Sequence, residues 1–315
     1  MQPFLWTVTD HHSGNVRQAQ ALATALTAHA PHQTLHPVAP WRWFAPYALP
    51  GAARAFGPRF TNALSSPPTL AIGCGRQAAL ATRLLRRRGT RVVQILDPRI
   101  GPQHWDLVIV PEHDGLQGGN VIRMIGSLNP VDAIWLENAR RQFSRLAVLP
   151  SPRTAWLIGG PTRHAPWTAA DFEQQLASLA DLLRQQGGSI MATVSRRTPL
   201  PIRARLRQWQ TQQPGMFWQN AEEDGVNPYP GLLGWADRLL CTPDSVNMLS
   251  ETCATDRPVF VSCTERVHGR LRKFLDTLSA RERIRPFDDT LAAFSVTPLR
   301  ETARIAAIVR ERLAL

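Results

Sequence analysis

Lysine is almost missing from this 315-residue chain: Lys273 stands alone beside 35 arginines. The four cysteines, Cys74, Cys241, Cys253 and Cys263, are scattered without C-x-x-C spacing, which argues against both a structural zinc site and a disulfide framework. No stretch approaches the roughly 18–20 uninterrupted apolar residues of a spanning helix, and the opening residues lack the basic flank and apolar run of an export signal. The expectation is a cytoplasmic protein, peripheral at most to the inner face of a membrane. G-x-x-x-x-G-K-[ST] is absent, which disfavours a P-loop NTPase. No G-x-G-x-x-G follows an opening strand, which weakens a nicotinamide or flavin reading. With no D-x-D at a strand end, no metal is needed and no cofactor is expected. The formal charge of +12 favours anionic partners, and without a nucleic-acid module these are nucleotides or phospholipid surfaces rather than nucleic acid.

Apolar runs alternate with helical patterns from end to end, the signature of α/β architecture with parallel sheets. In the first half, FLWTVTD, TLHPVA, TLAIGCG, RVVQILD, DLVIVPE and NVIRMIG read as strands, with helices over 15–30 and 76–89 between them. A further helix, 131–147, leads to the proline-bearing VLPSPR, taken as a linker. TAWLIGG, SIMATVS, GMFWQN, RLLCTPD and PVFVSC then form a second set. The reading is two Rossmann-like doubly wound domains, 1–150 and 151–295, facing across a cleft, with 296–315 as a helix returning to the first.

Ligands of open α/β sheets bind at the carboxyl ends of strands. After the first strand come Asp10, His11, His12, Ser13, Gly14 and Asn15, a carboxylate and two imidazoles beside a glycine turn. Asp10 or His12 could serve as general base, and the amides after Gly14 could meet an anion, unless Asp10 or Ser13 merely caps the helix. The second set opens on Gly159 and Gly160 with Thr162 and Arg163, and its next strand ends at Ser195, Arg196 and Arg197, of which one arginine suits a pyrophosphate. The strand RLLC runs into Asp244 and Ser245. Ser245 is a good N-cap, the amides of Val246 and Asn247 are free donors at the positive end of a helix, and Glu251 could accept from ribose hydroxyls. Gly14, Asn15, Gly160, Thr162, Arg163, Ser195, Arg196, Asp244, Ser245, Val246, Asn247 and Glu251 are therefore the candidates for holding a nucleotide sugar. Separately, Trp41, Trp43, Phe44, Tyr47 and Phe56 mix with Arg42, Arg54 and Arg59, a blend that fits either a membrane interface or packing into the first domain. Prolines 40, 46 and 50 preclude a long amphipathic helix there.

The stretches WTVTDHHSGNVRQAQALA, RVVQILDPR, DLVIVPEHD, GGNVIRMIGSLNPV, LIGGPT, SRRTP, NPYPGLLGWADRLLCTPDSVNMLSE and GRLRKFLDTL together resemble the mitochondrial-fission "elongated mitochondria" family over nearly the whole chain. The resemblance departs at His11, where a glycine would be expected. The two-domain pattern is also similar to GT-B glycosyltransferases, and that likeness implies diphosphate and ribose roles for Ser245 and Glu251 and a phosphate or base role for Arg163 or Arg196. The leading expectation is a metal-independent transferase that moves a sugar from a nucleotide donor to a lipid-linked or other envelope acceptor. A recruitment scaffold and a nucleotide-sugar epimerase are the alternatives.

Overall fold

The computed structural model describes residues 4–27 and 30–315; the start of the chain, Met1–Pro3, and Ala28–His29 at the end of the first expected helix lie outside the described residues. Two compact units emerge, one reaching to Pro130 and completed by Glu301–Leu315, the other formed by Val131–Arg300.

In the first unit, β1 (Leu5–Thr9) leads through α1 (Ser13–Leu26) to β2 (His32–Thr34), and α2 (Trp41–Phe44) and α3 (Gly57–Ala63) precede β3 (Leu70–Cys74). Next come α4 (Arg76–Arg86), β4 (Arg91–Ile95), β5 (Leu107–Pro111) and β6 (Val121–Met124). The strands pair in parallel in the order β2-β1-β3-β4-β5-β6. Their apolar runs are buried on both faces because alternate residues serve opposite layers. Val8, Ala71, Val92 and Val108 face α4 and the 41–64 segment, while Leu5, Ile72, Val93 and Ile109 face α1. The edge strand β2 falls earlier than TLHPVA suggests. Its ladder stops soon after Thr34 because Pro37 has no N–H to offer, and His32 instead turns its ring onto Thr7 Oγ1 at 2.9 Å.

The second unit begins with α5 (Ala133–Gln142) and continues through β7 (Arg153–Ile158), α6 (Ala169–Gln186), β8 (Ser189–Val194), α7 (Leu200–Gln210) and β9 (Gly215–Trp218). After α8 (Ala221–Asp224) and α9 (Tyr229–Trp235) come β10 (Arg238–Cys241), α10 (Val246–Cys253), β11 (Val259–Val261), α11 (Gly269–Ala280) and the short β12 (Arg285–Pro286). This sheet is also parallel, in the order β12-β11-β10-β7-β8-β9. The division between units therefore lies at Pro130 and not near 150. The physical reason is α9: Gly231 and Gly234 leave no side chain on its inner face, so Phe143 and Arg140 can press against it, and Arg140 Nε donates to the Gly234 carbonyl at 2.8 Å.

The last helix, α12 (Glu301–Leu313), belongs to the first unit. Ile305, Ala306, Val309 and Leu313 join the layer of Ala19, Leu22 and Ala23. Glu301, a negative charge at the helix N-terminus, accepts from the Ile125 amide at 2.8 Å.

Candidate functional site

In each sheet the chain reverses its winding at one point, and there the loops on the two sides part to leave a crevice at the carboxyl ends of the strands. In the first unit that point is between β1 and β3, and in the second between β7 and β10.

At the first, Asp10 follows β1 and sits nearly buried beneath α1. Its Oδ1 accepts from the His12 amide at 3.1 Å and from Asn15 Nδ2 at 3.0 Å, and its Oδ2 lies 2.9 Å from His12 Nδ1. His12, whose side chain is 68% exposed, occupies the N-cap position of α1 without capping by its side chain. Neither Asp10 nor Ser13 caps the helix, so the carboxylate is left to orient an imidazole. With Nδ1 held by Asp10, Nε2 is the nitrogen directed outward, the arrangement of a general base with its orienting partner. The amide of Asn15 is already bonded to the His12 carbonyl at 2.9 Å, so it is not an open anion donor. Instead the Asn15 side chain ties Asp10 to Cys74 across the crevice, its Oδ1 3.6 Å from Cys74 Sγ. Gly75 has φ +88°, and a Cβ there would stand 2.5 Å from Asn15 Nδ2, which explains the glycine. Burial, with the Asp10 charge added, pushes the Cys74 thiol well up, which removes it as a nucleophile. Asp10, His11, His12, His36, Arg42 and Arg76 border a cavity of about 600 Å³. Elsewhere on this rim, Asp97 is spent on its own turn, accepting from the Arg99 amide at 2.8 Å.

In the second unit the three strand ends named from sequence do meet, and Asp244 is the reason. Its side chain is completely buried, accepting from Thr242 Oγ1 at 2.7 Å, the Gly160 amide at 3.1 Å and Arg197 Nη2 at 2.7 Å. One carboxylate thus joins the loops after β7, β8 and β10. Such a buried anion is stable only while these partners remain. Asp244 and the Gly160 amide therefore organise the site from behind instead of facing a ligand. Arg197 and not Arg196 makes the ion pair, and Arg196 is exposed. Ser195 Oγ accepts from the Arg197 amide at 3.1 Å, a local turn bond. Thr162 closes a small hairpin with Ala165, and Arg163 Nε donates to His164 Nε2 at 2.9 Å.

Ser245 caps α10 as its residue type suggests, accepting from the Met248 amide at 3.3 Å. The amides of Val246 and Asn247 have no acceptor among the described residues. At the other end of α10 the buried Arg283 donates to the carbonyls of Cys253, Thr252 and Thr255 at 2.8, 3.1 and 2.8 Å. A cation thus neutralises the negative pole of the helix and leaves the positive pole open. Glu251 is only 2% exposed, and Tyr229 Oη donates to its Oε2 at 2.5 Å. A ribose role for Glu251 consequently requires Tyr229 to yield. Arg197, Tyr229 and Arg283 escaped the choice of candidates because their partners lie 47, 22 and about 30 positions away, with no local pattern joining them.

The sequence profile of the family described as mitochondrial fission ELM1 matches residues 13–313. The chain belongs to this family. The mitochondrial fission protein ELM1 of Arabidopsis thaliana is 30% identical over 278 residues, covering 78% of this chain and 64% of the plant protein. This member of the ELM1 family therefore spans less than two thirds of that relative's length. Among solved structures, the UDP-GlcNAc 2-epimerase of Methanocaldococcus jannaschii aligns with a TM-score of 0.58 at 12% identity, over 98% of this chain and 99% of that one. The UDP-GlcNAc 2-epimerase of Neisseria meningitidis, solved bound to UDP-GlcNAc, gives 0.51 at 12% identity over 98% and 99%. At such identities the likeness concerns the fold: two successive Rossmann-like units of the kind found in GT-B proteins.

Proposed function

We propose that this ELM1-family member binds a nucleotide sugar on its second unit and transfers the sugar to an envelope acceptor. The observation that carries this reading is the junction of three strand-end loops on Asp244 beneath the open amides of Val246 and Asn247. Those amides and Arg196 would take the diphosphate, at the pole of α10 that favours negative charge. That the similar epimerase of Neisseria meningitidis is bound to UDP-GlcNAc supports a nucleotide sugar as the ligand class.

In the proposed reaction the acceptor's hydroxyl oxygen attacks the anomeric carbon as the bond from that carbon to the diphosphate oxygen breaks. His12 Nε2 takes the hydroxyl proton, with Asp10 stabilising the resulting imidazolium. The nucleoside diphosphate departs with its charge met by amides and guanidinium, so the step needs no bound metal.

The test is thermal unfolding with UDP-, GDP-, ADP- and CMP-linked sugars. A ligand specific for the folded state at a hundred times its Kd stabilises by about 2.7 kcal/mol, so one of them is expected to raise Tm. Val246→Pro is the informative variant. Proline is tolerated at the first helical position, and Ser245 already has the extended backbone that proline demands of its predecessor, so the variant loses one donor and keeps the helix. It should retain the unliganded Tm and lose most of the ligand-induced shift. His12→Ala should keep the shift and abolish turnover. Stabilisation by none of the four sugar nucleotides would sink the reading and leave the recruitment scaffold, which the Tyr229–Glu251 contact favours. Product analysis separates transfer from epimerisation.

A further inference from the structure

The exposed aromatic segment of the first unit has no part in the reaction above. Between His11 and Leu96 the sequence contains ten arginines and not one aspartate or glutamate. Within this acid-free stretch, Trp43, Phe44, Tyr47 and Val38 are 62%, 50%, 57% and 48% exposed, while neighbouring Phe56 and Phe60 are buried in the core. Packing thus accounts for some of the segment's aromatics and leaves Val38, Trp43, Phe44 and Tyr47 outside.

That group is held in place and not left to collapse inward. Helix α2 ends after one turn, and its carbonyls are taken up by α4: Arg76 Nη1 donates to Trp43 O at 3.2 Å and to Ala45 O at 3.3 Å, and Gln77 Nε2 to Arg42 O at 3.0 Å. Arg83 Nη1 donates to Pro46 O at 2.5 Å, and Trp41 Nε1 to Pro50 O at 3.1 Å. Side-chain bonds to backbone carbonyls thus fix the loop while its large apolar side chains face water, an arrangement that costs free energy unless something covers them. The exposed arginines around it, Arg42, Arg54 and Arg59, have no acidic neighbour in sequence to neutralise them.

We propose that Val38–Tyr47 is a docking surface for an anionic lipid bilayer. Tryptophan and tyrosine settle at the headgroup level, where the ring is apolar and its N–H or O–H stays wet, and arginines at that depth meet lipid phosphates. A protein partner would have to set acidic groups opposite Arg42, Arg54 and Arg59 one by one, whereas an anionic membrane presents the complementary field everywhere. Val38 and Arg42 also border the 600 Å³ cavity beside His12. Docking would therefore set the mouth of that cavity at the lipid surface. This inference does not depend on the transfer reaction, and its test involves no turnover.

The experiment is co-sedimentation of the full chain with vesicles of phosphatidylglycerol mixed into phosphatidylcholine, against pure phosphatidylcholine. Binding is expected to the first, to weaken as salt is raised, and to fall about tenfold or more when Trp43, Phe44 and Tyr47 are all replaced by alanine. Arg42→Glu should weaken it as well. Since all four side chains are exposed, the circular dichroism and Tm of these variants should match the parent. Absence of binding to anionic vesicles overturns the proposal. So does binding that survives the aromatic replacements but is lost in Arg87→Glu with Arg88→Glu, which would indicate an unspecific basic face. A concentration-dependent dimer that the aromatic replacements dissolve, with no vesicle binding, would assign the surface to a second copy instead.

Discussion

Gly159 has no room for a side chain: a Cβ there would lie 2.1 and 2.2 Å from the two oxygens of Asp244. Gly159→Ala must therefore displace the carboxylate on which the three loops depend. A loss of about 1–3 kcal/mol is expected, the usual range for overpacking, read from urea unfolding of the two proteins. Nucleotide-induced stabilisation should vanish with it. Single residues were legible in the sequence where chemistry is local. Ser245 looks like a cap and is one, because capping joins a side chain to an amide three positions on. The Arg197–Asp244 pair spans 47 positions and the Tyr229–Glu251 contact 22, and neither leaves a mark in a window of sequence. Hence Asp244 could be chosen as a strand-end residue while its burial, which decides what it does, stayed hidden. The choice of Arg196 over Arg197 was open for the same reason.

Among the elements, the edge strand β2 carries a pH dependence. His32 lies against Thr7 Oγ1 and Thr9 Oγ1, and burial lowers its pKa below the ordinary 6.5. The unfolded chain therefore takes up the proton at higher pH than the folded one. The contribution to stability is fully present above about pH 6.5 and is lost as pH falls through the lower folded value. Tm measured against pH should drop more steeply below 6.5 for the parent than for His32→Gln, and the difference between the two curves isolates this group from His104, which is lowered as well. Central strands such as β3, β4, β7 and β8 were legible because a parallel strand covered on both faces must be apolar throughout. Edge strands have less to bury, so the apolar pattern puts β2 a few residues late and gives no sign of the two-residue β12. Helix α6 opens on a capping box between Thr168 and Asp171, and α7 opens after Pro199, so both starts rest on residues within one turn. The proline-interrupted 41–64 segment could be read only as a blend of residue types, since its conformation rests on carbonyl bonds to distant arginines.

For the molecule as a whole, the division into units was the least legible feature, because a proline-bearing stretch near 150 resembles a linker while the actual boundary depends on two glycines of α9 seating α5. The position of α12 leads to a further expectation. Ile305, Val309 and Leu313 are each buried in the first unit, and burial of such side chains contributes roughly 1.5–3 kcal/mol apiece. Their sum approaches the entire margin of about 5–15 kcal/mol that holds a domain folded. A chain ending at Arg300 should therefore unfold its first unit at lower temperature than the second, seen as two calorimetric transitions and as early proteolytic cleavage confined to residues before 130. No helix among the described residues is long and apolar enough to cross a membrane. The same arrangement bears on how the protein is made. A ribosome releases the first sheet before the helix that covers it, with a whole second unit synthesised in between. The layer of Ala19 and Leu22 must wait uncovered through that interval, so the first sheet of the newborn chain is the part that needs shelter from its neighbours until α12 emerges.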